Sequence, residues 1–178
     1  AQAVHRVTLA RDMGRAPSRA ALAGCASGIT GLVRRLVDDG GRVGDMARIV
    51  GELNDRIVTR VLDLAEGVVA ERGEGKSPVP YCWLVFGSEA RREQTLRTDQ
   101  DNGLVYADPP AELAPTAARY FTALADEAIA GLIDVGFPPC PGGAMASNPR
   151  WCQPLATWTA YFREWMARPT AAHVLAAV

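Results

Sequence analysis

Two carboxylates, Asp99 and Asp101, stand two residues apart in the string TDQDNGLVY. At the mouth of a β-strand, residues i and i+2 project to one face, so both carboxylates would share a face while Gln100 and Asn102 take the other. Paired carboxylates repel unless a cation sits between them. An all-oxygen donor set with little else nearby suits Mg2+ or Mn2+. About a dozen residues earlier, Gly87-Ser88 follows an apolar run. Glycine lets the backbone turn sharply and approach a ligand closely. A serine hydroxyl and the amides after it, at a helix start, can hold phosphate oxygens. Arg91 and Arg92 lie one turn further on and can contact phosphate through bidentate pairs. A phosphate holder beside a metal holder is the minimum equipment for nucleotidyl or phosphoryl transfer. Taken singly, each piece has a plainer reading: Gly-Ser is a common turn, D-x-D a pair of solvated carboxylates, and Arg-Arg-Glu a solvated helix face. Their order between two flanking strands makes the combination specific.

That order needs elements to hold it. YCWLVFG, 81–87, is short, β-branched and aromatic, bounded by proline and glycine, and reads as a buried strand; NGLVYAD, 102–108, reads as a second. Between them a short polar helix carries the arginines. Upstream, Leu22, Ala26, Ile29, Val33 and Leu36 recur at helical spacing over 17–39, and the glycines of DDGGRVGD stop that helix. Met46, Ile49, Leu53, Ile57, Val61, Leu64 and Val68 form a second stripe over 45–72. Two long helices joined by a short Gly-rich turn predict an antiparallel hairpin, either packed on the rest of the chain or forming a homodimer contact. Pro109-Pro110 opens a third helix, 111–135, with Leu113, Ala117, Phe121, Leu124, Ile129 and Leu132 inward. GFPPCPGGAMASNPRW, 136–151, is too rich in proline and glycine for regular structure. A final helix, 154–167, carries Trp158, Tyr161, Phe162 and Trp165. Residues 1–16 read as a linker or loose end. Two strands alone are marginal, so a third is expected from beyond residue 178 or from an element the pattern does not reveal.

The 178 residues suit one domain, or a domain with a helical appendage. A net charge of −1 gives no basic field for nucleic acid. No uninterrupted apolar run of membrane-spanning length occurs, so no membrane association is expected, and the N-terminus lacks a signal-peptide core. Cys25, Cys82, Cys140 and Cys152 form no CxxC pair, and His5 and His173 lie far apart, which argues against zinc. Reduced thiols and a cytoplasmic location follow.

The string GSEARREQTLRTDQDNGLVY resembles the polymerase-β-type nucleotidyltransferase superfamily: an apolar residue, Gly-Ser, a gap of about ten, then D-x-D. It looks like one branch, a nucleotidyltransferase domain catalogued as a domain of unknown function and similar to the catalytic domain of the uridylyltransferase that modifies the PII signalling protein. The leading helix pair, the 136–151 loop, Trp158 and Trp165 share the likeness, which spans about residues 20–170. Ala90 stands where the branch often has glycine. The resemblance implies an α+β fold: a helical hairpin, 17–73, followed by a small mixed nucleotidyltransferase-type sheet flanked by helices, 74–178. It implies that Gly87 and Ser88 hold the β- and γ-phosphates of a nucleoside triphosphate, and that Asp99 and Asp101 bind two Mg2+ ions. It implies transfer of AMP or UMP to a hydroxyl of a protein or small molecule, with pyrophosphate leaving, and a place in signalling beside upstream CBS or cyclic-nucleotide-binding domains. The superfamily adds a third carboxylate on a later strand. Asp134, at the end of the third helix, sits in LIDVGF and not in a strand. The acidic strand is therefore expected beyond Val178, or the chain is a nucleotide-sensing regulatory module that transfers nothing.

Other residues carry open alternatives. Glu89 and Glu93 either orient Arg91, Arg92 or Arg97 or are solvated. Gln94 and Thr98 flank the D-x-D and can hydrogen-bond its loop. Gly142-Gly143 amides and Arg150 could close over a nucleotide, or the loop is structural and packed by Trp151. Cys140 lacks a neighbouring histidine for a nucleophilic role, and His173 has no assigned part.

Overall fold

The computed structural model describes residues 2–93 and 98–169. Its first element corrects an expectation: most of the stretch read as a linker is helix α1 (Gln2–Arg15). Met13 is fully buried and Ala16 nearly so, with Leu9 and Ala10 packed against the same core. The stripe Leu9, Met13, Ala16 is short and interrupted by arginines. The chain end is tied down where Arg60 Nε donates to the Ala16 carbonyl at 2.8 Å.

The hairpin follows as anticipated. Helix α2 (Arg19–Asp38) starts on Ser18, whose Oγ accepts from the Ala21 N–H at 3.2 Å. It ends where Gly40 takes φ +73° and the Gly41 N–H returns to the Leu36 carbonyl at 2.8 Å. By length and composition α2 could cross a membrane. In the structure Leu22, Ile29 and Leu32 are buried in the core, and Arg19 pairs with Glu127 and Asp134. Helix α3 (Val43–Val69) buries Val50, Leu53, Ile57, Val61, Ala65 and Val69. The lower half of its expected stripe is thus rotated: Leu64 and Val68 are half-buried, and Ala65 and Val69 take the interior. Positions four apart drift around a 3.6-residue helix, and α3 is wedged against α1, α2 and the third core helix, which widens its buried face.

Strands β1 (Tyr81–Val85) and β2 (Asn102–Tyr106) pair antiparallel, from Tyr81 opposite Tyr106 to Val85 opposite Asn102. Between them Gly87–Ala90 form one short helical turn, α4. Helix α5 (Ala114–Val135) has proline in its first turn and ends on Gly136 at φ +111°. The missing third strand lies within the chain. It is β3 (Cys152–Pro154), parallel to β2 with Leu104 opposite Cys152 and Tyr106 opposite Pro154. Three residues between a proline-rich loop and a helix are too few to show a period. Helix α6 (Leu155–Ala167) closes the described chain.

The mixed sheet, order β1-β2-β3, has two apolar faces. Tyr81, Trp83, Leu104 and Tyr106 join the large core shared with the helices, where Tyr106 stacks on Phe121 of α5 at 4.4 Å. Leu84, Phe86 and Val105 meet Trp151, Trp158 and Trp165 on the other side. The alternation is the period of two that a sheet buried on both faces requires. The fold is α+β, helices around a small three-stranded sheet, as the resemblance implied.

A carboxylate pair, a glycine turn and a thiol

Gly87-Ser88 and the two aspartates are brought together by one ladder bond. Past the ends of β1 and β2, the Phe86 N–H donates to the Asp101 carbonyl at 2.9 Å. Gly87, at φ +57°, therefore turns directly beside Asp101. A Cβ built on Gly87 would stand 3.0 Å from Asp101 Oδ2, so the carboxylate occupies the space that a side chain would fill. The N–H groups of Gly87 and Ser88, at the start of the following turn, have no intrahelical acceptor by the geometry of any helix start. Ser88 is half-buried there.

Asp99 and Asp101 do face away from the core, and Gln100 and Asn102 do take the other side. Asp99 is exposed and Asp101 half-buried, while Gln100 and Asn102 are 1% and 2% exposed. The two buried amides have a task that the sequence did not disclose. Asn102 Nδ2 donates to Gln100 Oε1 at 3.1 Å, and Asn102 Oδ1 accepts from the Ala146 N–H at 2.8 Å. Gln100 Nε2 donates to the Phe137 carbonyl at 3.2 Å. Backbone bonds add to these: Gln100 N–H to Pro138 O and Asn102 N–H to Ala144 O, both 2.9 Å. The D-x-D segment thus clamps the Pro/Gly loop at both ends of residues 138–144. The loop bulges between the clamps and carries Cys140 to the carboxylates.

Ligand atoms of Asp99, Asp101 and Cys140 all lie within 4.8 Å of one another. Burial pushes the Cys140 thiol up, and the hydrogen bond it donates to Asp101 pushes it further. It is a protonated donor, not a free nucleophile, at neutral pH. Two carboxylates and a thiol beside the glycine turn form a donor set that fits a divalent cation. Asp134, the other acid weighed for the site, is held by Arg19 Nη1 at 3.1 Å. The strand beside β2 is β3, and its residues Cys152, Gln153 and Pro154 include no acid.

Arg91 and Arg92 directly follow α4 in the chain, and each pairs with an acid outside the D-x-D. Arg91 Nε pairs with Glu93 Oε2 at 2.9 Å. Arg92, left-handed at φ +55°, lays its stem over Gly51 of α3 and reaches Asp55 at 4.0 Å. Both arginines are exposed, and Glu89 is half-buried on α4. Gln94, Arg97 and His173 lie outside the described residues. Thr98 Oγ1 is shielded from water and has no hydrogen-bond partner among the described residues. It lines a cavity of about 410 Å³ whose walls include Ile29, Asn54, Ile57 and Phe137.

The aromatic cluster anchors the glycine turn from behind. Phe86 lies 5.6 Å from Trp151 and 6.1 Å from Trp158, ring centre to ring centre. Trp158 Nε1 donates to the Leu104 carbonyl at 3.1 Å. Gly103 permits this approach: a Cβ there would meet the Trp151 carbonyl and Trp158 ring at 3.0 Å and Phe86 at 3.1 Å. Arg150 stacks on Trp151 at 5.3 Å.

A family model described as "Putative nucleotidyltransferase DUF294" matches residues 27–172. No curated protein and no solved structure matches the chain.

Proposed function

The chain belongs to this nucleotidyltransferase family, and on that premise we propose that it moves a nucleoside monophosphate from a nucleoside triphosphate to a hydroxyl of a protein or small molecule. The observation that carries this reading is the ladder bond that sets the Gly87-Ser88 turn beside Asp101, with Asp99 on the same face. Asp99 and Asp101 would hold Mg2+ or Mn2+, which when bound supplies charge neutralisation and in-line alignment at the α-phosphate. Gly87, lacking a side chain, leaves room for the Asp101 carboxylate beside the turn, and the Ser88 hydroxyl and the amides at the start of the turn would face the oxygens of the triphosphate. Arg91 and Arg92 approach from exposed positions, where exchanging Glu93 or Asp55 for phosphate costs little. The likeness to the PII-modifying enzyme supports a part in signalling.

One observation favours a second reading, a nucleotide-sensing module without transfer: among the described residues the third donor beside Asp99 and Asp101 is the thiol of Cys140, and no third carboxylate joins them. One experiment separates the two. The chain is incubated with each α-labelled triphosphate and Mg2+ or Mn2+, and pyrophosphate release and triphosphate binding are both read. Transfer is expected, and Asp99→Asn with Asp101→Asn should reduce it at least about a hundredfold, since outer-shell changes alone cost 10–100-fold. Binding without pyrophosphate release would establish the sensor instead. Unaltered triphosphate and cation binding in the double variant would remove the site assignment.

A further inference from the structure

We infer that Cys140 is a third ligand of the Asp99/Asp101 site, so that the site takes a thiophilic divalent cation of the Zn2+ or Co2+ class more tightly than Mg2+. This rests on the reading that the two aspartates hold the cation. Mg2+ does not recruit thiolates, whereas sulfur donors select borderline and soft ions. The thiol is not a chance neighbour. Its loop is fastened on one side by Gln100 to Phe137 and Pro138, and on the other by Asn102 to Ala144 and Ala146. The buried residues that hold the loop alternate in sequence with the carboxylates that face the cation, so one short segment sets the position of all three donors. The Gly143 N–H closes the intervening turn on the Cys140 carbonyl at 3.0 Å. The Cys140 sulfur and a carboxylate oxygen of each aspartate lie within 4.8 Å of one another. When a thiophilic cation enters, the S–H bond breaks, the proton passes to solvent and the sulfur lone pair forms the bond to the metal, with no change of oxidation state.

The test uses Co2+ alone as the probe on the full chain, followed by the sulfur-to-metal charge-transfer band in the near ultraviolet. Wild type should show the band. Cys140→Ser should lose it and bind Co2+ at least about tenfold more weakly, and Asp101→Asn should also lose it. Cys82→Ser, which removes an exposed thiol on β1, should keep it. Cys140→Asp guards against a folding defect: it should bind cobalt without the band and gain affinity for Mg2+. Cobalt bound to wild type without the band, or a band unchanged in Cys140→Ser, overturns thiol ligation. Triphosphate binding with Mg2+, read separately on wild type, decides the transferase reading, so the two can fail independently.

Discussion

Gly87 directly follows Phe86, the residue hydrogen-bonded to Asp101 at the end of the β1–β2 ladder, and the aspartate's Oδ2 lies 3.0 Å from the point where a Cβ on the glycine would stand. The D-x-D and the Gly-Ser turn are therefore two sides of one steric fit. Gly87→Ala puts a methyl against the carboxylate and holds alanine at φ +57°. The backbone cost is about 1–2 kcal/mol. The larger effect is on the site, where Asp101 must swing aside. Calorimetric titration with Mg2+ and triphosphate should show lost affinity in a protein whose melting temperature falls only modestly. Wild-type affinity in the variant would contradict the fit.

Gly103→Ala tests the opposite face. Its methyl meets a backbone carbonyl and two aromatic rings at 3.0–3.1 Å, none of which can yield as a flexible side chain would. Overpacking of this kind costs about 1–3 kcal/mol. Denaturant unfolding should show a lowered midpoint, and tryptophan fluorescence a shift as Trp151 and Trp158 are displaced.

Asn102→Ala removes the amide that bonds Gln100 and the Ala146 N–H. Leaving buried polar partners unsatisfied costs about 1–3 kcal/mol. Hydrogen exchange should report the local consequence, with amides of residues 140–146 losing protection before those of α3 or α5.

Alkaline pH should destabilise the fold through Cys152. Burial, and next the charge of Asp126, push its thiol up to about 12 from the ordinary value of 9.0. The folded state keeps a proton that the unfolded chain gives up. Its contribution is thus complete below pH 9 and is lost between 9 and about 12, at no more than about 1.4 kcal/mol per pH unit for one group. Cys152→Val should flatten that part of the stability profile measured by urea unfolding. An unchanged slope would exclude the thiol as its source.

Much of this architecture could be read from the chain because its signals are local. YCWLV and NGLVY are apolar runs with clear boundaries, and the stripes of α2 and α5 keep helical spacing through long stretches. The turn at Gly40-Gly41 announces itself by composition. What escaped depends on tertiary context. Helix α1 is defined by Met13 and Ala16 finding a groove, not by a strong stripe. The lower part of α3 turns because three helices surround it. Strand β3 exists because β2 offers it a free edge. In the candidate site, the shared outward face of Asp99 and Asp101 was legible by spacing, and so was the inward aim of Gln100 and Asn102. Cys140 was not, because it lies 39 residues beyond Asp101 in the sequence and reaches it only through the loop that those two amides hold. Their burial was the available signal: a buried amide must find partners, and here the partners were the loop.

The tryptophan cluster behind Phe86 also bears on the order of assembly. Gly87 and Asp101 leave the ribosome long before Trp151 and Trp158, yet Phe86 has its aromatic support only when those rings have returned across some fifty residues to sit beside β2. Such long-range closure is slow compared with helix and hairpin formation. The nascent chain would then carry its reactive groups while the site is still loose, and gain the ability to grip a ligand in the last stage of synthesis. In stopped-flow refolding, tryptophan burial and recovery of ligand binding should share one slow phase, later than the rise in helicity.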